Sequence, residues 1–129
     1  MITNEYYELD YVPAKNQINW KVKGYWPSVK AVPNMEKDWE TILARTRKPG
    51  FNILADLTEM KLAPQEVEDL HAKVQQRLIK AGVRKIAVVI QSALVSMTVS
   101  NIGAVSGMNQ LIGQFNDIAK AQAWLGEKA

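Results

Sequence analysis

The sequence predicts one α/β domain: a mixed β-sheet, opened by an N-terminal hairpin and continued by βαβ units, packed with about four helices. Three observations carry this prediction. Two apolar runs, Phe51–Leu57 and Val83–Ile90, are too short for helices and rich enough in aliphatic residues to be strands covered on both faces. Ile18, Trp20 and Val22 alternate with Asn19, Lys21 and Lys23, the period of two that a half-buried strand requires. Between the runs lie stretches whose apolar residues recur at helical spacing.

Taken in order, Tyr6–Val12 and Gln17–Lys23 flank Pro13-Ala14-Lys15-Asn16, a reversal signal, and form the predicted hairpin. After Gly24-Tyr25-Trp26-Pro27 the chain is irregular to Pro33. Met35, Trp39, Ile42 and Leu43 then mark a helix that Lys48-Pro49-Gly50 stops. The strand Phe51–Leu57 is followed by a loop, Thr58 to Gln65, and by a helix with Pro64 in its first turn. Val67, Leu70, Val74 and Leu78 are its apolar stripe. Acidic residues early and Arg77 and Lys80 late suit the helix dipole, and Ala81-Gly82 ends it. After Val83–Ile90, Ala93–Ser106 reads as a helix along Leu94, Met97, Ile102 and Val105. Gln110–Phe115 reads as a strand, and Asn116 as the cap of a last helix with Ile118, Ala121, Gln122 and Leu125. Right-handed crossovers restrict how these pieces assemble.

The bulk properties remove several chemistries. At 129 residues the chain suits a single domain spanning 1–129. It has no cysteine, so disulfides, thiolate metal sites and cysteine nucleophiles are excluded, and a reducing cytoplasm is expected. A single histidine excludes zinc sites built on several His or Cys ligands. The net charge of +3, with dispersed lysines, reads as ordinary solubility rather than a nucleic-acid footprint. The N-terminus lacks the pattern of a signal peptide, and the apolar stretch Ile86–Ile90 is far too short to span a bilayer. No cofactor is expected.

The order of elements, together with Gly24-Tyr25-Trp26, Phe51-Asn52-Ile53-Leu54-Ala55-Asp56-Leu57, Gly82-Val83-Arg84-Lys85-Ile86-Ala87-Val88-Val89 and Phe115-Asn116-Asp117 followed by Ala121, Trp124 and Leu125, resembles the STAS-like (SpoIIAA-like) family. The resemblance implies a SpoIIAA-like fold and a protein-interaction or regulatory role. In the family's anti-sigma-factor antagonists a phosphorylatable Ser or Thr precedes the helix after the third strand, where a phosphate adds about −1.5 to −2 charges at a helix N-terminus. The matching register falls near Ala63-Pro64-Gln65, which has no hydroxyl; Thr58 comes too early. The family's switch is therefore expected to be missing, and Asp56, Thr58, Pro64 and Gln65 mark a candidate ligand or switch-loop region. A related branch resembles lipid-carrying domains of the CRAL-TRIO type, which implies a small apolar ligand beneath Ser92–Gly107.

The residue-level candidates carry bland readings beside the functional ones. His71 would need a partner and a cleft to serve as a base, and reads as a half-buried histidine at the edge of a helix stripe. Asp56 ends a strand at a crossover, where α/β sheets bind ligands, but reads rather as a loop residue capping the Thr58–Met60 turn. Gly103 and Gly107 lack the Lys of a phosphate loop and read as sites of close helix packing. No G-x-S-x-G elbow is present. Trp20, Trp39 and Trp124 are expected in the core. Trp26, between Tyr25 and Pro27, has no periodic reason to be buried, so Tyr25-Trp26-Pro27 is a candidate contact patch for a protein partner or a second copy. No catalytic residue is assigned and no enzyme activity is expected.

Overall fold

A computed structural model describes residues 1–127. Six strands form one mixed sheet in the order β1 (Ile2–Thr3), β2 (Tyr7–Val12), β3 (Gln17–Gly24), β4 (Asn52–Met60), β5 (Lys85–Val89) and β6 (Ile112–Phe115). The β1–β2–β3 part is antiparallel, and β3–β4–β5–β6 is parallel. The helices are α1 (Met35–Leu43), α2 (Gln65–Ala81), α3 (Ala93–Ser106) and α4 (Ile118–Gly126). The predicted α/β class, hairpin and crossovers are all present. A two-residue strand at the N-terminus, β1, was not anticipated.

Three successive parallel crossovers step across the sheet in one direction, and the right-handed rule for such connections puts α1, α2 and α3 on one face. The alternation along each strand matches this. Ile18, Trp20, Val22, Ile53, Ala55, Leu57, Ile86 and Val88 enter the main core with Trp39, Val67, Val74, Leu78, Val95 and Val99. Leu54, Ala87 and Val89 point the other way and pack under α4 against Ala121, Leu125, Phe115 and Trp124. Since β5 is covered on both sides, its run of aliphatics has no polar alternation.

Local chemistry sets the ends of the elements. Asn16 adopts a left-handed conformation (φ 49°) in the hairpin turn, and its Oδ1 accepts from the Tyr11 hydroxyl at 2.7 Å. Ser92 and Asp117 cap α3 and α4 through side-chain oxygens that accept from Val95 N and Lys120 N at 3.3 Å and 3.1 Å. The last helix is thus capped by Asp117 rather than Asn116. Gly82 closes α2 at φ 88°; an added Cβ there would sit 2.7 Å from Pro49 Cβ.

Several boundaries differ from expectation. The strand β4 runs three residues past Leu57, so Thr58–Met60 are strand rather than loop. The reason is a β-bulge: opposite β3 the register passes from Lys21↔Asp56 to Lys23↔Glu59, two residues of β4 facing one of β3. Residues Asn109–Leu111 form a 3-10 turn, which leaves only Ile112–Phe115 for β6. Trp124 is half-buried, with Lys85 Nζ 4.6 Å from its ring centroid.

Candidate functional site

The aromatic patch is the clearest correction. Trp26 is 1 % exposed and belongs to the core. Gly24, at φ 67°, turns the chain at the end of β3 and the indole folds back beneath it. It stacks on His71 at 4.9 Å and contacts Tyr7 and Trp20 at 5.8 Å and 6.3 Å. Its Nε1–H is shared between the carbonyls of Tyr6 and Lys23, at 3.1 Å and 3.3 Å. Only Tyr25 and Pro27 of the three remain at the surface. Loop residues carry no periodicity, so the burial of Trp26 is decided by the glycine turn and the space above Trp20.

Asp56 is the last paired residue before the β4 bulge, and Thr58 lies in it. Asp56 Oδ1 accepts from Thr58 N at 3.0 Å and from Thr58 Oγ1 at 2.7 Å. The clamp satisfies the backbone where the ladder is interrupted, so the capping reading describes the bond although the site is a bulge, not a turn. Pro64 precedes α2 and Gln65 opens it, with Gln65 Nε2 donating to Asp69 Oδ1 at 2.9 Å. Asp56 points away from the helix-covered face, whereas His71 lies on it, so the sheet separates these two candidates. Among the described residues no three His, Asp or Glu side chains gather closely enough to hold a metal ion.

His71 lines an apolar space on the helix-packed side of the sheet. A cavity of about 70 Å³ lies between the sheet and α1–α3. Its walls include Trp20, Trp39, Ile53, Val88, Val99 and Ile102, and its polar lining is His71 and Gln75. Burial pushes the His71 imidazole down to about 4, so it is neutral near pH 7. Gln75 Oε1 accepts from Ser106 Oγ at 2.6 Å. Trp39 is buried at 3 % exposure, and its indole N–H has no partner among the described residues. The segment expected to overlie such a cavity, Ser92–Gly107, contributes Val99 and Ile102 to it.

The helix in that segment turns its faces differently from the expected stripe. Of Leu94, Met97, Ile102 and Val105, only Ile102 is buried. Val95, Thr98, Val99, Ile102, Gly103 and Ser106 face inward instead. Close packing holds for Gly103, where an added Cβ would meet Asn109 Oδ1 at 2.0 Å; Gly107 is the left-handed cap of the helix. Leu94, Met97 and Val105 are 59 %, 63 % and 67 % exposed. A helix apolar on all sides gives periodicity no face to choose, so packing against α2 decided it.

One signal in the sequence marks this surface. From Ile86 to Asn116 the chain has 31 residues without Asp, Glu, Lys, Arg or His, where its overall 22 % charged content would supply about seven. Burial explains this for β5 but not for the outer face of α3 or for the edge strand β6. Comparison with known proteins finds no matching family model and no matching curated protein. Among the described residues no helix is long and apolar enough to cross a membrane.

Proposed function

We propose that this chain is a non-enzymatic, STAS-like protein-interaction domain that works in the cytoplasm without the family's phosphorylatable serine, and that the outer face of α3 is its contact surface. The observation that carries this reading is the exposure of Leu94, Met97 and Val105 on a helix without one charged residue. Fully burying a Val, Leu or Met side chain is worth about 1.5–3 kcal/mol, so covering the exposed parts of these three would yield about 3–6 kcal/mol. Large exposed apolar residues in a group mark contact sites on soluble proteins. The neighbouring outer surfaces differ: Lys73 and Arg77 of α2 pair with Glu36 and Glu40 of α1 at 3.4 Å and 2.6 Å.

The test is a photo-reactive benzoylphenylalanine placed at Met97 in the source cells, with the same group at Gln76 on α2 as control. A discrete protein adduct from position 97 and none from position 76 is expected. Equal or absent adducts would end the reading.

A second reading rests on the cavity: a small apolar ligand, as the resemblance to CRAL-TRIO-type lipid carriers implies. The cavity's 70 Å³ is about half the ~150 Å³ that takes up benzene in an engineered core. It therefore seats a short apolar group rather than a whole acyl chain. Neutral His71 offers no cation for a carboxylate, so the ligand would be uncharged. Since Trp20 and Trp39 line the space, entry of a probe smaller than benzene, such as xenon, should change their fluorescence, and Val99→Leu should suppress that change by filling the space. No fluorescence response, together with no co-purified small molecule in native mass spectrometry, would remove this reading.

A further inference from the structure

The exposed positions on α3 have a spacing of their own. Leu94, Met97, Asn101 and Ala104 follow one another at intervals of three, four and three. This is the a-d-a-d seam of a two-stranded helix pairing, with a single asparagine at an a position. All four are exposed, and the helix that carries them is about 21 Å long, enough for two heptads. In paired helices a lone polar residue at an a position fixes register and partner number at some cost in stability.

We propose that α3 is the twofold contact of a homodimer, with the seam of one α3 packed antiparallel on the seam of its copy. This rests on the interaction reading above and names the partner. A twofold contact sets one patch against itself, so a charge close to the dyad meets its own duplicate. The outer face of α3 is free of that repulsion. The outer faces of α1 and α2, with Glu36, Lys37, Glu40, Lys73, Arg77 and Lys80, are not. A different protein partner would ordinarily be steered and registered by complementary charge, and this face offers none. A membrane surface is disfavoured likewise, because no Lys or Arg flanks the seam between Gln91 and Asn116.

The antiparallel arrangement follows from side-chain size. With the dyad midway along the seam, Leu94 faces Ala104 of the partner subunit and Met97 faces Asn101 of the partner subunit. Large then meets small at both ends, and the adaptable methionine covers the amide. A parallel arrangement would stack Leu94 on its duplicate at one end and leave Ala104 on its duplicate at the other, a gap. A seam of two heptads gives a contact at the small end of specific interfaces, so the dissociation constant should lie in the micromolar range.

Sedimentation equilibrium from about 1 μM to about 1 mM should show a monomer–dimer equilibrium, and Met97→Glu should weaken it at least about 30-fold. Because Met97 is 63 % exposed, the far-UV circular dichroism and urea midpoint of that variant should match those of the unsubstituted chain when both are measured below the dimer's dissociation constant. Gln76→Glu, on the exposed face of α2, should leave the equilibrium as it is. The chain has no cysteine, which permits a direct test of direction. Oxidising a mixture of Met97→Cys and Asn101→Cys proteins should yield the mixed cross-linked dimer over either homotypic one. A dimer untouched by Met97→Glu, or homotypic links in excess, would overturn the proposal. A strict monomer whose position-97 photoadduct contains another protein would overturn the dimer and leave the interaction reading standing. A strict monomer with no adduct, or with lipid adducts only, would end both.

Discussion

Replacing Trp26 with alanine tests whether this loop residue is structural. The indole is 1 % exposed, stacks on His71, and contacts Tyr7 and Trp20. Truncating a buried Trp to Ala costs about 3–5 kcal/mol, including the cavity it leaves. The shared Nε1–H bond to Tyr6 and Lys23 adds about 1 kcal/mol, less whatever water supplies to the freed carbonyls. A loss of about 4 kcal/mol is therefore expected, a large part of the total stability of a domain this size. In a thermal melt it corresponds to a fall of roughly 10–20 °C, from the usual few degrees per kcal/mol at this length. Urea unfolding followed by far-UV circular dichroism measures it directly, with Tyr25→Ala as the comparison. Tyr25 is 52 % exposed and its truncation should stay within about 0.5 kcal/mol. If Trp26→Ala cost less than about 1 kcal/mol, or Tyr25→Ala cost as much, the placement of the indole in the core would be refuted.

Three further outcomes follow from the same structure. Burial holds His71 at about 4, below its ordinary 6.5, so the unfolded chain takes up the proton first as pH falls. The contribution of neutral His71 is complete above pH 6.5 and is lost as pH drops towards 4, by an amount on the order of 2 kcal/mol for this half-buried group. The urea midpoint should fall over that window, and His71→Leu should flatten the slope. Gly82→Ala forces a side chain into φ 88° with Cβ 2.7 Å from Pro49 Cβ, and should cost about 1–3 kcal/mol by urea titration. Asp56→Ala removes the clamp on Thr58 and should cost about 1 kcal/mol, with faster hydrogen exchange confined to the β4 bulge.

The candidate sites divide by how much of their placement is local. Asp56 clamping Thr58 is a two-residue interaction and was legible as a capping bond, although the bulge that requires it comes from pairing with β3. His71 one turn after Val67 was legible as a stripe-edge histidine. Its contact with Trp26 spans 45 residues of chain and was not. The cavity beside it was expected under Ser92–Gly107 only through a family resemblance, because empty space has no sequence pattern. The uncharged run from Ile86 to Asn116 was in plain view; it conveys a contact surface only once β5 is known to be covered and α3 is not.

By itself the sequence determined the class, the strands β2 to β6 and the helices α1 to α4 of this protein. Those follow from spacing: period two in Gln17–Lys23, unbroken aliphatics in β5, period 3.6 in α1 and α2, each a property of neighbours along the chain. Tertiary structure decided which side of each ambiguous element meets the core. The helix α3 is apolar around its circumference and the Trp26 loop has no period, so neither carries a preferred inward face. Packing settled both, turning Val95, Val99 and Ile102 inward with Trp26, and leaving Leu94, Met97 and Val105 outside. Burial is a competition among all segments for a limited interior, and no segment holds the terms of that competition alone.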